Sequence, residues 1–141
     1  PTSHEHNYGK GRLESECARM SAILRRLQGD DLLLMDESFS STSLLEGGYI
    51  AGEVLRAIAV IGCGGVYVTH IHELTQQVGQ FNAAPGRTGC IDNLVAQMES
   101  GADGTRSYRI LRTTPDGLSY AKGIARKYGL SCEEILAGRS R

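Results

Sequence analysis

Two strand ends carry the residues best suited to chemistry. Asp36 and Glu37 close the apolar run Leu32-Leu33-Leu34-Met35, and Thr69 and His70 close the β-rich run Val66-Tyr67-Val68. In open α/β sheets, ligands gather beyond the carboxyl ends of strands. Carboxylates at one such end and an imidazole at another make a hydrolytic constellation. Asp36 is suited to hold Mg²⁺ through water, because that ion favours a few carboxylates plus phosphate oxygens. Glu37 is suited to polarise an attacking water, and His70 to contact a terminal phosphate. Each signal alone has a plainer explanation: acids after a strand are often only strand-end charge, and a single histidine is more often structural. Two strand ends with chemistry, separated by one helix, favour function without naming the substrate.

The elements that must position these groups are readable from periodicity. Residues 1–11 are polar loop, and the missing initiator Met makes the start read as a fragment beginning inside a loop. Apolar residues at Leu13, Cys17, Met20, Ile23, Leu24 and Leu27 predict a helix that Gly29 ends. The run Leu32–Met35 suits a strand buried on both faces of a parallel sheet. After the hydroxyl-rich stretch 38–42, Ser43 and Glu46 have capping-box spacing and start a helix to about Ile61, broken by Gly64-Gly65. The second strand follows, then a short helix from His72 to Val78, a loop over 79–88, and extended segments near 90–99 and 106–113 joined by a turn at 100–104. A helix from Leu118 to Tyr128 stops at Gly129, and Ser131 with Glu134 caps a last helix to Ala137. Strands alternating with helices predict an α/β layer, mainly a parallel sheet flanked by helices, with a β-hairpin and C-terminal helices. The chain reads as one 1–141 unit: loop 1–11, α/β core 12–78, loop and hairpin 79–115, helices 116–141.

Bulk composition sets limits. The 141 residues fit one compact domain or a large part of one, at 40% hydrophobic and 22% charged. A net charge of −1 excludes a broad basic surface for DNA. The four cysteines form no C-x-x-C pair, so a reducing, cytoplasmic setting is expected. No apolar stretch approaches the length of a membrane span, and no signal peptide opens the sequence.

The stretch from Met35 to Gly47 (M-D-E-S-F-S-S-T-S-L-L-E-G) resembles the MutS-family pattern M-D-E-I-G-R-G-T-S-T-x-D-G, with Asp36, Glu37, Thr42, Ser43 and Gly47 matching without gaps and Glu46 in place of the usual Asp. Val68-Thr69-His70-Ile71-His72-Glu73-Leu74 is similar to the family's A-T-H-x-x-E-L block. A third block from Asp116 to Ala125 resembles D-G-x-x-x-x-S-Y-G-x-x-V-A with shortened spacing, and Gly129, Leu130 and Ile135 match the family's tail. The resemblance spans roughly residues 9–137. It implies an ABC-type P-loop ATPase that uses ATP and Mg²⁺, with a Walker B strand at Leu32–Glu37 and a switch histidine at His70. It further implies a homodimer that closes on ATP or ADP, with Thr42, Ser43, Glu46 and Thr69 near the nucleotide, and DNA bound by other parts of the protein.

Departures from the family pattern are specific. The family's Arg-Gly is Ser40-Ser41 here, and the upstream G-x-S-T-F-x-x-E is represented only by Gly11 and Ser15, with Ser15 the hydroxyl expected to reach nucleotide. The phosphate-cradling G-x-x-x-x-G-K-[ST] is absent, since neither Gly9-Lys10-Gly11 nor Gly62-Cys63-Gly64-Gly65 fits it. The chain therefore reads as the C-terminal part of such a domain without its Walker A loop, weak or inactive in isolation. Two rivals stand beside this reading. His70-x-His72-Glu73, with His4-x-His6, places histidines on one side of a strand, as a metal-dependent hydrolase would. A non-catalytic dimerisation module would retain the contact surface alone.

Overall fold

A computed structural model describes residues 11–99, 106–115 and 119–139 and divides the chain into two compact units, Pro1–Ile91 and Asp92–Arg141. The first unit contains α1 (Arg12–Leu24), β1 (Leu32–Asp36), α2 (Leu44–Ile61), β2 (Gly64–Val68) and α3 (Glu73–Ala83). The second contains β3 (Leu94–Met98), β4 (Arg106–Arg112), α4 (Ser119–Lys127) and α5 (Cys132–Arg139). The fold is α/β, but its sheets are small: β1 and β2 form one parallel pair, and β3 and β4 one antiparallel pair. The expected larger parallel sheet is therefore reduced to two strands among the described residues.

β1 and β2 run in register from Leu32 opposite Gly64 to Asp36 opposite Val68, with α2 as the crossover. Alternation along β1 buries Leu33 and Met35 and leaves Leu32 and Leu34 exposed. Burial on both faces, expected from the continuous apolar run, is thus realised on one face only. The buried face joins Met20 of α1, Ala51, Val54 and Ile58 of α2, and Leu74 and Phe81 of α3 in a single core with Phe39 and Ile71.

α1 ends at Leu24, before Gly29. The backbone tightens there, with the Arg26 N–H donating to Ile23 and the Leu27 N–H to Leu24. The Asp31 carboxylate then takes the Gln28 N–H at 2.7 Å, drawing the chain into the β1 approach. Leu27 still packs on the core, which explains its place in the apolar pattern outside the helix.

α2 begins as predicted, with Ser43 Oγ accepting from the Glu46 N–H at 3.3 Å. It ends at Ile61, as expected, where Gly62 adopts a left-handed φ of 78° and caps the helix. Thr88 and Gly89 donate backbone N–H groups to the Ala59 carbonyl, and the Thr88 hydroxyl donates to Val60. Gly64 and Gly65 belong to β2. α3 runs to Ala83 through half of the expected loop, since Phe81 is buried and the Asn82 side chain bonds both the N–H and C=O of Ile91 at 2.8 Å.

In the second unit, β3 pairs Leu94 with Arg112 and Ala96 with Ile110, and a bulge precedes the Met98–Arg106 pair. Tyr108 sits in that irregularity with φ 58°. The joining turn at 100–104 and the start of the next helix at Leu118 lie outside the described residues. α5 carries the predicted capping box, Ser131 and Glu134 exchanging backbone-to-side-chain bonds at 3.3 and 3.2 Å. The four cysteines are free, with Cys17 and Cys63 packed against the core. No helix among the described residues is long and apolar enough to cross a membrane.

Candidate functional site

The parallel pairing of β1 and β2 brings the two strand ends together. Beyond the last register pair, Asp36 with Val68, the Glu37 N–H continues the ladder by donating to the Val68 carbonyl at 2.8 Å. Thr69 and His70 leave β2 at the same edge, and His70 Nδ1 meets Glu37 Oε2 at 2.5 Å. Both side chains are about half exposed, so the pair faces solvent and not the core. Asp36 is exposed at the end of β1, on the face of Leu32 and Leu34. Thr69 Oγ1 accepts from the Ile71 N–H at 3.1 Å, which turns the chain toward α3.

The loop that follows Glu37 has an unusual backbone. Glu37 and Phe39 both take left-handed φ values, 50° and 64°. Such values are unfavourable for residues with a Cβ and persist where the surroundings hold them. The holds are identifiable. The Phe39 ring is among the most deeply buried side chains of the chain, and its N–H donates to Glu16 Oε1 of α1 at 3.0 Å. The Tyr67 hydroxyl donates to the Ser38 carbonyl at 2.6 Å. A Cβ placed on Gly47 would lie 2.4 Å from the Phe39 carbonyl oxygen, so the absence of a side chain there is what lets α2 approach the loop. Burial pushes the Tyr67 phenol up; its bond with Thr69 opposes this, and the nearby Glu37 and Glu16 carboxylates reinforce it.

A second cluster forms at the start of α2. Thr42 Oγ1 donates to Glu46 Oε2, and Ser43 Oγ reaches the same oxygen at 3.2 Å. Bonds from Thr42 first and Ser43 second hold the Glu46 carboxyl below its usual range. Leu45 and Tyr49, one turn apart on α2, are strongly exposed beside it.

Of the residues singled out in the sequence, Glu37 and His70 are in contact, Asp36 and Thr69 flank them in the paired strand ends, and Thr42, Ser43 and Glu46 form the helix cap. Ser15 lies in the first turn of α1, its N–H donating to the Gly11 carbonyl. Its neighbour Glu16, absent from the candidates that spacing picks out, is the α1 residue tied to the loop. A signal for it exists in a second register of the G-x-S-T-F-x-x-E pattern: counted from Gly9 instead of Gly11, its closing glutamate falls on Glu16. In the sequence Tyr67 is only a strand residue, because nothing local marks a hydroxyl that bonds a carbonyl 29 positions away. Among the described residues no group of three or more His, Cys, Asp or Glu is arranged to hold a metal, which leaves His70 and His72 without a third ligand. His4 and His6 lie outside the described residues.

The chain is 32% identical over 123 residues to the endonuclease MutS2 of Caldanaerobacter subterraneus, matching 86% of its own length. It is also 32% identical over 130 residues, 92% of its length, to the DNA mismatch repair protein MutS of Sorangium cellulosum. This chain is MutS-like. The MutS2 of Thermomicrobium roseum matches similarly, at 30% over 87% of the chain. The MutS-like chain spans only 13–14% of the length of these relatives. No family model matches it.

Proposed function

We propose that this MutS-like chain supplies the hydrolysis side of a nucleotide site in a DNA-repair ATPase. The observation that carries the reading is the Glu37–His70 contact at the paired ends of β1 and β2. In this reading Glu37 is the general base. His70 occupies Oε2 and orients the carboxylate, leaving Oε1 to accept a proton from an attacking water. With His70 Nδ1 turned to Glu37, its Nε2 points away from the carboxylate. Nε2 is therefore the ring nitrogen that would face a phosphate oxygen.

Asp36, an exposed carboxylate at a strand end, suits a hard cation that keeps most of its waters, so it is the residue that would hold Mg²⁺. Bound there, the ion would neutralise charge on the phosphate oxygens. Ser15, Thr42, Ser43, Glu46 and Thr69 line the proposed nucleotide side. The exposed Leu45 and Tyr49 beside the Thr42–Ser43–Glu46 cap support a homodimer contact at this face. In this reading the chain is the C-terminal part of an ABC-type P-loop domain, and the Walker A loop and DNA binding are assigned to other sequence of the same polypeptide.

The test is Glu37→Gln in a protein that joins this segment to a phosphate-gripping loop. Hydrolysis is expected to fall by about 10²–10⁴-fold, the range typical of a lost general base, while ATP binding is retained. Unchanged turnover would remove Glu37 from the role.

A further inference from the structure

The turn after Glu37 is held from several sides, and the holds differ in kind. Three come from within the strand–helix layer: the buried Phe39 ring, the Tyr67 hydroxyl on the Ser38 carbonyl, and the close passage of the Phe39 carbonyl over Gly47. The fourth is a carboxylate that reaches in from α1. Glu16 Oε1 accepts the Phe39 N–H at 3.0 Å, and Oε2 lies 3.5 Å from the Ser41 hydroxyl.

Phe39 is 1% exposed, so water cannot easily replace this partner for its N–H. An ionised acceptor on a backbone N–H is a strong hydrogen bond. Glu16 makes no ion pair among the described residues, and its carboxylate is spent on the loop. Glu37 and Phe39, the left-handed residues, bracket Ser38, so the direction of the Glu37 side chain depends on where Phe39 is pinned.

We infer that Glu16 is a positioning residue for Glu37: by capturing the Phe39 N–H it fixes the left-handed turn that aims the Glu37 carboxylate at His70. This rests on the reading of Glu37 as the base. Glu16 touches neither water nor nucleotide in this role and acts only through the turn. Its glutamine analogue keeps an oxygen acceptor in the same place, whereas alanine leaves the Phe39 N–H without one.

The experiment uses Glu16→Ala and Glu16→Gln, beside Glu37→Gln, in the protein that joins this chain to a phosphate-gripping loop. Glu16→Ala is expected to lower kcat by about 10- to 100-fold with KM nearly constant, the signature of a misplaced catalytic group. Glu16→Gln is expected to restore most of kcat. Hydrogen exchange at the Phe39 amide should quicken in the alanine variant and not in the glutamine variant. Unchanged kcat in folded Glu16→Ala, or equal impairment of both variants, overturns the proposal. Should the alanine variant fail to fold, Tyr67→Phe loosens the same turn from the Ser38 side and is expected to lower kcat alone; unaltered kcat there also overturns it. If Glu37→Gln itself turns over normally, the base assignment fails. Amide exchange at Phe39 then still reports whether Glu16 holds the turn.

Discussion

A methyl group on Gly47 would lie 2.4 Å from the Phe39 carbonyl oxygen and 3.6 Å from Ile71 Cδ1. The first neighbour is backbone and cannot swing aside, so Gly47→Ala must displace either α2 or the turn that carries Glu37. We expect a loss of about 1–3 kcal/mol in chemical denaturation, within the range of strain at a constrained site. Gly79 provides the control. It sits inside α3, where an added Cβ would meet nothing within 4 Å, and Gly79→Ala is expected to stabilise by about 0.5–1 kcal/mol through helix propensity. Equal effects of the two changes would mean that the close passage over Gly47 is not what constrains the turn. Gly47 is visible in the sequence as part of a matched pattern, but its reason is not. That reason is a carbonyl from a left-handed Phe39, eight positions upstream and set by packing. Glu16 is the same case: its partner is 23 residues away in sequence, and local spacing carries no trace of such a bond.

Helix α2 is legible at both ends, from Ser43 to Ile61, but only the start carries its reason in the local sequence. Its start follows from a local rule, because Ser43 and Glu46 have the spacing at which a hydroxyl meets an orphan N–H. Ser43→Ala is expected to cost about 1 kcal/mol, read as a lower thermal midpoint. Glu46 adds a pH dependence of defined sign. Its carboxyl is held below the ordinary value of 4.5 by Thr42 and Ser43, so its contribution is present above that pH and fades as pH falls through the folded value. The stability difference between the native chain and Glu46→Gln should therefore narrow on acidification below pH 4.5; a gap that widens there would contradict this assignment. The other end depends on tertiary contacts. The pattern stops at about Ile61, where the helix does end, but nothing local shows what holds the cap. Thr88 does so by donating to the Val60 carbonyl and filling the space where a Gly62 Cβ would meet Thr88 Oγ1 at 2.1 Å. The extension of α3 to Ala83 has the same origin, in Phe81 burial and the Asn82 bonds to Ile91.

At the scale of the whole chain, the arrangement of chemistry and the arrangement of surface point the same way. The parallel pair ends in carboxylates and an imidazole, yet its outer face presents Leu32, Leu34, Val66 and Val68 to solvent. Parallel strands are ordinarily covered on both faces, which is why the apolar run of β1 reads as fully buried. The sequence carries the residue types for hydrolysis but contains no G-x-x-x-x-G-K-[ST] anywhere in its 141 residues. Backbone N–H groups and a lysine around the phosphates supply most of the grip on a nucleotide in P-loop proteins, and a carboxylate pair at a strand end repels the same phosphates unless a cation intervenes. The 141-residue chain alone is therefore expected to show no saturable ATP binding below about millimolar in calorimetry with Mg²⁺ present, a level worth only about −4 kcal/mol. Adding a segment with that loop should restore binding, and only then should Glu37 control turnover. Micromolar binding by the isolated chain would show that its own residues hold the phosphates, and would move the nucleotide site away from the missing loop and onto the edge formed by Glu37 and His70.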